Sequence, residues 1–327
     1  MKSYSVICFF LSLSMILLPL VSVEKATDVF KKEFLITEES ETTKKVEEIE
    51  IENSVVKVMN ANSKNITEMS LEEYLTGVVA AEINPAYHEE AIKAQVIAAH
   101  TKLEYTKLHN TLENAHITDS PASHQGYLNK DEQEEKWGKN YKIYHEKIEK
   151  CVKEVKNIIL AYNNEPINAV FHAISNGQTE SATDVWGGEY PYLISVQSAG
   201  DKLSPAYNSE VIVSIDDFKN KITENGAKLS DEPSEWVKKV TNTETGMVKE
   251  IVIGDKSFKG TEIRTILGLK SSTFTVKYDN ESFIFTVCGY GHGVGMSQYG
   301  ANYMAQQGFN YEQILEHYYQ NSKCVII

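Results

Sequence analysis

The sequence predicts an α+β fold: N-terminal helices in one large domain, followed by antiparallel strands and hairpins. Between residues 70 and 155, apolar residues recur every three or four positions, which is the spacing of one helix face. From residue 158 onward, short runs of β-branched and aromatic residues alternate with turn residues such as Asn163 and Asn164. Helices grouped before strands are typical of α+β domains rather than of alternating α/β folds.

The N-terminus predicts a membrane anchor. Lys2 is followed by residues 3–23, a stretch without charged side chains. About 20 apolar residues, at a rise of about 1.5 Å each, cross the hydrocarbon core of a bilayer. Residues 1–23 are therefore predicted to form a transmembrane signal-anchor at the cell membrane, with the rest of the chain outside the cytoplasm. A cleaved signal peptide is the alternative, although residues 21–23 do not form a good small-x-small cleavage site.

Residues 24–53 are rich in charged side chains and predict a solvated linker between the membrane and the domain. The predicted extracytoplasmic domain then spans residues 54–327, which is long enough for a sizeable core, and it is predicted to begin with a strand at residues 55–58. The formal net charge of the chain is −14. This charge argues against nucleic acid as a partner, because phosphate contacts require a surplus of lysine and arginine.

Three helices are predicted in the first half of the domain. Ser70 and Glu73 have the spacing of a capping box, so the first helix starts after Ser70 and runs to Glu82. The other two helices are predicted over about residues 88–109 and 132–155. The apolar stripe of the second helix consists of Ile92, Val96, Ala99 and Leu103.

The second half of the domain is predicted to be rich in β-structure. The predicted strands are residues 158–162, 166–173, 211–215, 248–253, 274–278 and 282–287. A helix is predicted around Phe218, and two short helices, over residues 297–307 and 311–319, end the chain.

The first candidate for chemistry is Glu82, which ends a helix of small apolar residues. Burial disfavours a carboxylate, so a glutamate in such surroundings tends towards a raised pKa. A carboxylic acid that stays protonated near neutral pH can protonate a leaving oxygen. The alternative is a glutamate at a helix end that points into water.

A second candidate is the glycine-rich segment, residues 289–300, which precedes a predicted helix. Glycine permits positive φ and a close approach of the backbone to a ligand. His292, Ser297, Gln298 and Tyr299 supply donors and acceptors suited to sugar hydroxyls, and we expect them to bind substrate. The segment is not a P-loop or a dinucleotide fingerprint, because neither Gly-Lys-Ser/Thr nor a βαβ unit follows it. A tight structural loop is the alternative.

A third candidate is the polar cluster at residues 171–180, which follows a predicted strand directly and includes Ser175. Polar side chains on loops beside a rigid strand are common in binding sites, and we expect Ser175 to bind substrate. The alternative is an ordinary turn built on Asn176 and Gly177.

Histidines form the last cluster. His109, His116 and His124 lie close together in the sequence, with Asp119 between them. Histidine and aspartate are zinc ligands. Neither an HExxH motif nor a cysteine occurs in this stretch, so loop histidines without a metal are the alternative.

Several of these segments resemble the stage II sporulation protein D family. Residues 73–82, which read Glu-Tyr-Leu-Thr-Gly-Val-Val-Ala-Ala-Glu, are similar to its N-terminal signature. The other similar segments are residues 90–99, 186–187, 201–205 and 289–301. The resemblance extends from about residue 55 to the C-terminus, and its last motif is long and specific.

The resemblance implies a lytic transglycosylase of endospore-forming bacteria that acts during engulfment of the forespore. Its substrate would be peptidoglycan glycan strands from which an amidase has removed the stem peptides. The implied partners are that amidase, stage II sporulation protein P, and a membrane protein that holds both. The catalytic glutamate of the family ends its Gly-Val-Val-x-x-Glu run, which corresponds to Glu82 in this sequence.

Three features depart from the family pattern. The family has Met-Pro directly after the glutamate, whereas Pro85 stands one residue later here. It often has arginine where His100 stands. Some clostridial relatives bind zinc with a cysteine and histidine set, to which His116 and His124 would contribute, although a cysteine is missing beside them. We therefore expect no cofactor to be required, with zinc as the alternative.

A single acid is sufficient for lytic cleavage. Glu82 would protonate the glycosidic oxygen and then, as a carboxylate, take a proton from a hydroxyl of the same sugar, which closes an anhydro ring. No water attacks, so the carboxylate pair of ordinary glycosidases is not needed. For a hydrolytic mechanism, Glu180 and Asp184 are the nearest second acids. The competing functions are a non-catalytic module that binds the wall or activates an amidase, and a zinc-dependent hydrolase.

Overall fold

The fold is described by a computed structural model that covers residues 55–109, 112–121 and 123–327. The predicted anchor and linker, residues 1–53, lie outside these residues. In the part of the chain that is described, no helix is both long enough and apolar enough to cross a membrane.

Helices make up most of residues 70–155 and most of residues 298–318. In chain order, the α-helices are α1 (Leu71–Glu82), α2 (Glu89–Leu108), α3 (Lys130–Trp137), α4 (Tyr141–Val155), α5 (Ala182–Trp186), α6 (Ile215–Glu224), α7 (Gly260–Leu267), α8 (Gln298–Gln306) and α9 (Tyr311–Tyr318). Short 3₁₀ helices lie at Gly138–Asn140, Ala199–Leu203 and Pro233–Glu235.

Strands are short and are concentrated after α4. In chain order they are β1 (Val56–Met59), β2 (Ile66–Met69), β3 (Ile117–Thr118), β4 (Ile158–Tyr162), β5 (Glu165–Pro166), β6 (Phe171–His172), β7 (Asn208–Ser214), β8 (Val237–Asn242), β9 (Val248–Ile253), β10 (Lys256–Lys259), β11 (Phe274–Asp279), β12 (Ser282–Cys288), β13 (Met296–Ser297) and β14 (Lys323–Ile326).

The strands pair in small sheets. β1 lies between β2 and β3, β4 between β5 and β14, β9 between β8 and β10, and β12 between β7 and β11, while β6 pairs with β13. These pairs are antiparallel except for β1–β3 and β6–β13, which are parallel. The α+β prediction is therefore confirmed, and the short parallel pair β6–β13 adds a contact that the sequence does not predict.

The helical core forms where α1, α2 and α4 pack against one another. Ser70 starts α1 as predicted, since its side chain accepts a hydrogen bond from the backbone N–H of Glu73 at 3.1 Å. The reciprocal bond of a capping box, from Glu73 back to Ser70, is not formed. The predicted stripe of α2 is confirmed as fully buried. The segment before Glu82 is therefore held rigidly by packing on several sides.

A second core lies in the strand-rich part of the chain. Its buried members fall between Val213 and Val287 and come from α6, α7 and the strands around them. Three aromatic rings stack at its centre: the Phe283 ring lies 4.0 Å from that of Phe218 and 5.7 Å from that of Trp236, between centroids. Such buried aromatic stacks contribute heavily to stability because each ring removes a large apolar area from water.

The prediction of one long third helix is wrong. The chain forms α3 and α4 instead, separated by the 3₁₀ turn at Gly138–Asn140. Gly138 has φ of +50°, in the left-handed region that only glycine adopts readily. Trp137 before the break and Tyr141 after it continue the same apolar stripe. The sequence pattern alone therefore favours a single helix.

The predicted hairpins are confirmed. Asn163 and Asn164 connect β4 to β5 with φ of +52° and +65°, and Asn280 and Glu281 connect β11 to β12 with positive φ as well. The strand predicted over residues 166–173 is shorter and divided between β5 and β6. The elements not predicted are β2, β3, α5, β8, β10, α7, β13 and β14.

Candidate functional site

Glu82 is the last residue of α1, and its side chain is partly buried. Its carboxyl oxygen Oε1 accepts a hydrogen bond from the backbone N–H of Gly126 at 2.6 Å. No bond from a described residue reaches Oε2. Burial raises the pKa of Glu82, and the Gly126 N–H and the charge of Lys136 offset part of this rise. The group is therefore a carboxyl with one oxygen fixed and a tendency to hold its proton.

The loop at residues 125–128 packs along α1 and places the backbone N–H of Gly126 against the carboxyl of Glu82. The backbone N–H of Leu128 donates to the carbonyl of Gly77 at 3.1 Å, and Gln125 donates through Nε2 to the hydroxyl of Tyr74 at 3.0 Å. A Cβ on Gly77 would lie 2.2 Å from the nearest ring atom of Tyr127. The loop can lie this close only because α1 has a glycine at that position.

Lys136 of α3 holds the C-terminal end of α1. Its Nζ donates to the backbone carbonyls of Ala80 and Ala81 at 3.0 and 3.4 Å. These carbonyls have no partner within the helix, and a cation there interacts favourably with the helix dipole. The position of Glu82 is thus fixed by contacts from α3 and from the loop before α3.

The glycine-rich segment interlocks with the polar cluster at residues 171–180. Besides the β6–β13 pair, bridges join Ile174 to Tyr290 and Glu180 to Val294. A Cβ on Gly295 would lie 2.0 Å from the carbonyl oxygen of Val170, and Gly295 has φ of +71°. The glycines are therefore required by the close packing of two backbones.

Two histidines lie side by side where these segments meet. The rings of His172 and His292 have centroids 5.7 Å apart, and the half-exposed ring of Trp186 lies 5.1 Å from that of His292. His172 donates through Nδ1 to the carbonyl of Val294 at 3.0 Å, and the N–H of Val294 donates to Nδ1 of His292 at 3.1 Å. Burial lowers the pKa of His172 to about 4 and that of His292 to about 3. Sugar binding by His292 stays a prediction.

Ser175 and Ser297 meet at a buried aspartate, Asp201. The backbone N–H of Ser175 donates to Asp201 Oδ2, and the hydroxyl of Ser297 donates to Oδ1, both at 2.8 Å. Ser297 also caps α8, because its hydroxyl accepts from the N–H of Gly300 at 3.2 Å. Through Asp201, these two serines connect the polar cluster at residues 171–180 to the glycine-rich segment. Sugar binding by them stays a prediction.

Gln298 and Tyr299 connect the glycine-rich segment to the start of α2. Gln298 donates through Nε2 to Oε1 of Gln95 at 3.2 Å, and the rings of Tyr87 and Tyr299 meet edge to face at 6.1 Å. The turn that follows Glu82 therefore packs against α8. Glu82 itself forms no hydrogen bond to the glycine-rich segment, and sugar binding by Gln298 and Tyr299 stays a prediction.

His116 and His124 lie in the connection between α2 and α3. His116 accepts through Nδ1 from the backbone N–H of Lys57 at 3.2 Å, and Nδ1 of His124 lies 2.8 Å from the hydroxyl oxygen of Thr118. Among the described residues, no group of three or more His, Cys, Asp or Glu side chains is arranged to hold a metal. These two histidines are not a complete ligand set, and zinc binding stays a prediction.

Three residues of the site region were missed in the sequence. Gly126 is 44 positions from Glu82, and a single glycine between helices gives no sign of such a contact. Asp201 lies in one of the family-like segments, but its role became clear only from its serine partners. The third is Lys102 of α2, whose charge is among the causes that lower the pKa of His292; in the sequence it was one cation among 32 lysines and arginines.

Comparison with known proteins gives consistent matches. The profile of the family described as Stage II sporulation protein matches residues 59–162. Stage II sporulation protein D of Bacillus subtilis (strain 168) is 38% identical over 272 residues, which is 82% of this chain and 78% of that protein. The same protein of Bacillus amyloliquefaciens is 38% identical over 81% of this chain and 77% of its own. The amidase enhancer of Bacillus subtilis is 29% identical over 75% of this chain and 39% of its own length.

Proposed function

The chain belongs to the stage II sporulation protein D family, and from that premise we propose that it is a lytic transglycosylase with Glu82 as its acid and base. Its substrate is the glycan strand of peptidoglycan after an amidase has removed the stem peptides. The observation that carries the proposal is the carboxyl of Glu82, which has a raised pKa and one oxygen held by Gly126.

The bond from Gly126 sets the direction of proton transfer. A protonated carboxyl has one O–H donor, and its other oxygen remains an acceptor. Because the N–H of Gly126 donates to Oε1, a proton on Oε2 leaves that bond intact, and no described residue donates to Oε2. Protonation of a glycosidic oxygen requires an acid that is held in position, and the bond from Gly126 supports such a role for Glu82.

The reaction then needs a single carboxyl. Glu82 gives its proton to the glycosidic oxygen as the bond to the anomeric carbon breaks. A hydroxyl of the same sugar forms a new bond to that carbon and returns its proton to Glu82. The product is an anhydro sugar, and the carboxyl is regenerated without water or a second acid.

The setting of the proposed reaction is the outer face of the cell membrane during engulfment. The charged residues 24–53 would connect an anchor at residues 1–23 to the domain at residues 54–327. The partners would be the sporulation amidase that strips the strands, stage II sporulation protein P, and a membrane protein that holds both. A relative named amidase enhancer supports a link to an amidase.

The test is the Glu82→Gln variant with Glu73→Gln as a matched control. Both variants remove one carboxylate from α1, but Glu73 is exposed on its first turn. Products released from stripped glycan strands are analysed by mass spectrometry. We expect Glu82→Gln to reduce the release of anhydro-sugar products by a factor of at least about 100, because general acid–base catalysis contributes about 10² to 10⁴. The Glu73→Gln control should keep its activity.

The second candidate function is a non-catalytic module that activates an amidase. Its support is the similarity to the amidase enhancer. In that case the wild-type chain releases no anhydro sugar on its own, and it speeds up an added amidase equally with or without Glu82. Treatment with a chelator separates a third case, because a zinc-dependent hydrolase would lose activity while acid–base chemistry by Glu82 would not.

A further inference from the structure

Lys102 of α2 is a partly buried cation that is hydrogen-bonded to a neutral side chain. Its Nζ donates to the side-chain oxygen Oδ1 of Asn168 at 2.6 Å. Burial lowers the pKa of Lys102 to about 8. No carboxylate in the described part of the chain raises this pKa again. A desolvated ammonium group without a nearby anion is unfavourable. Binding of an anion next to Lys102 would therefore be favourable.

Other lysines on α2 show the contrast. Lys93 lies 2.9 Å from Oε1 of Glu90 and 2.7 Å from Oε2 of Glu154, and Lys107 lies 2.7 Å from Oε1 of Glu104. The net charge of −14 means that carboxylates are abundant in this protein. Among the three lysines of α2, Lys102 is the one that no carboxylate of residues 55–109, 112–121 or 123–327 pairs with.

Lys102 lies beside one aromatic ring and within electrostatic range of two histidines. Its Nζ lies 5.6 Å from the ring centroid of Tyr105. Its charge is among the causes that lower the pKa of His124 and of His292 in the glycine-rich segment. His292 in turn lies against Trp186, which has 48% of its surface exposed. Flat apolar rings beside polar groups suit the faces and hydroxyls of a sugar.

From this arrangement we infer that Lys102 forms a carboxylate-binding subsite for the glycan, an inference that rests on the proposed function. Hydrolysis of an amide bond between a sugar substituent and a stem peptide leaves a carboxylate on the sugar. A stripped strand therefore carries a carboxylate directly on the sugar, where a peptide-bearing strand has a neutral amide. Lys102 pairs with one of these carboxylates and makes the protein prefer stripped strands.

The experiment measures equilibrium binding of the full chain to two glycans that differ only in charge. One is the stripped strand, and the other is the same strand with its carboxylates converted to primary amides. All proteins in the comparison carry Glu82→Gln, so that the strand is not cleaved during the measurement. Binding is compared for this parent, called the wild type below, and for Lys102→Gln, Lys102→Arg and the control Lys238→Gln in the same background. Lys238 is exposed on β8, so its substitution removes the same charge from another part of the chain.

We expect Lys102→Gln to bind the carboxylate strand about 10-fold more weakly, as for the loss of one hydrogen bond to a charged group. Its affinity for the amidated strand should change less than about twofold by the same reasoning. Lys102→Arg and Lys238→Gln should retain the preference of the wild type. Wild-type affinity for the carboxylate strand should also fall as pH rises through about 8, because Lys102 then loses its charge.

Equal loss for both glycans in Lys102→Gln, or no preference for the carboxylate strand in the wild type, would overturn the subsite. Thermal unfolding of each variant excludes misfolding, and the arginine variant tests the charge if the glutamine variant fails to fold. These readings are independent of cleavage. Failure of the proposed function would be seen in a separate measurement, as anhydro-sugar release that Glu82→Gln retains at the level of the unsubstituted chain.

Discussion

The lack of a side chain at Gly126 allows its backbone to approach the carboxyl of Glu82, the candidate acid. A Cβ at this position would lie 3.1 Å from Oε1 of Glu82 and 3.3 Å from the Cβ of Ala81. Both contacts are tighter than ordinary packing, so a methyl group pushes the loop away from Glu82. The hydrogen bond from Gly126 is one of the causes that keep the pKa of Glu82 down. Lengthening this bond therefore changes both the position and the pKa of the carboxyl.

We predict that Gly126→Ala lowers the cleavage rate about 10-fold or more, since small displacements of a catalytic group have large effects. With a weaker N–H bond, the pKa of Glu82 rises further. A general acid acts only while protonated, so the fall in rate at high pH should move to higher pH in the variant. The measurement is a pH–rate profile of both proteins. An unmoved or lowered limb, with the melting temperature retained, would contradict this role for Gly126.

The sequence identified Glu82 but not the groups that control it. Its position after small apolar residues indicated burial, and the direction of its pKa shift agrees with that interpretation. Gly126 and Lys136 reach it from elements 44 or more positions away. Neither periodicity nor a local motif reports such contacts, because they depend on how the loop and α3 lie on α1.

At the scale of elements, the fit between α1 and the loop at residues 125–128 depends on Gly77. Glycine inside a helix is unfavourable by about 1 kcal/mol relative to alanine. Here it is retained because the ring of Tyr127 occupies the space of a side chain. The parallel rings of Tyr74 and Tyr127, 6.4 Å apart between centroids, extend this contact along the helix.

We predict that Gly77→Ala destabilises the protein by about 1–2 kcal/mol, because overpacking outweighs the gain in helix propensity. In a Tyr127→Ala background the same substitution should stabilise the protein, since the clash is gone. A double-mutant cycle with chemical denaturation measures the change of sign. If Gly77→Ala stabilises both backgrounds, the ring of Tyr127 does not pack on α1 at this position.

Helix and strand positions were predictable wherever the residues themselves carry the pattern. Ser70 and Ser297 marked the starts of α1 and α8, and the paired asparagines marked the β4–β5 turn. Gly138 was overlooked as a break because apolar residues continue the stripe on both sides. The β6–β13 pair joins segments more than 100 positions apart, so local patterns do not predict it.

On the scale of the whole molecule, the described chain has a helical core beside Glu82 and a second core among the strands. The second core supports β7 and β12, and the chain leaves β12 directly into the glycine-rich segment. Phe283 lies at the centre of this core with 1% of its surface exposed.

We predict that Phe283→Ala lowers the free energy of unfolding by about 3–5 kcal/mol, through lost burial and the cavity left between Phe218 and Trp236. Ile212→Ala is the matched control: Ile212 lies on the paired strand β7 but is 63% exposed, so its substitution should change stability by less than about 0.5 kcal/mol. Unfolding in urea, followed by tryptophan fluorescence, measures both. Similar losses of unfolding free energy in the two variants would show that the aromatic stack stabilises the protein no more than an exposed strand residue does.

The paired histidines have a consequence for how the protein responds to acidity. With pKa values of about 4 and about 3, the imidazoles of His172 and His292 stay uncharged near neutral pH. Val294 sets their tautomers, because its carbonyl needs the Nδ1 proton of His172 and its N–H needs the bare Nδ1 of His292. Histidine commonly acts as a pH sensor, but these two imidazoles keep their uncharged form, and with it the hydrogen bonds to Val294, when the pH falls to mildly acidic values above about 4.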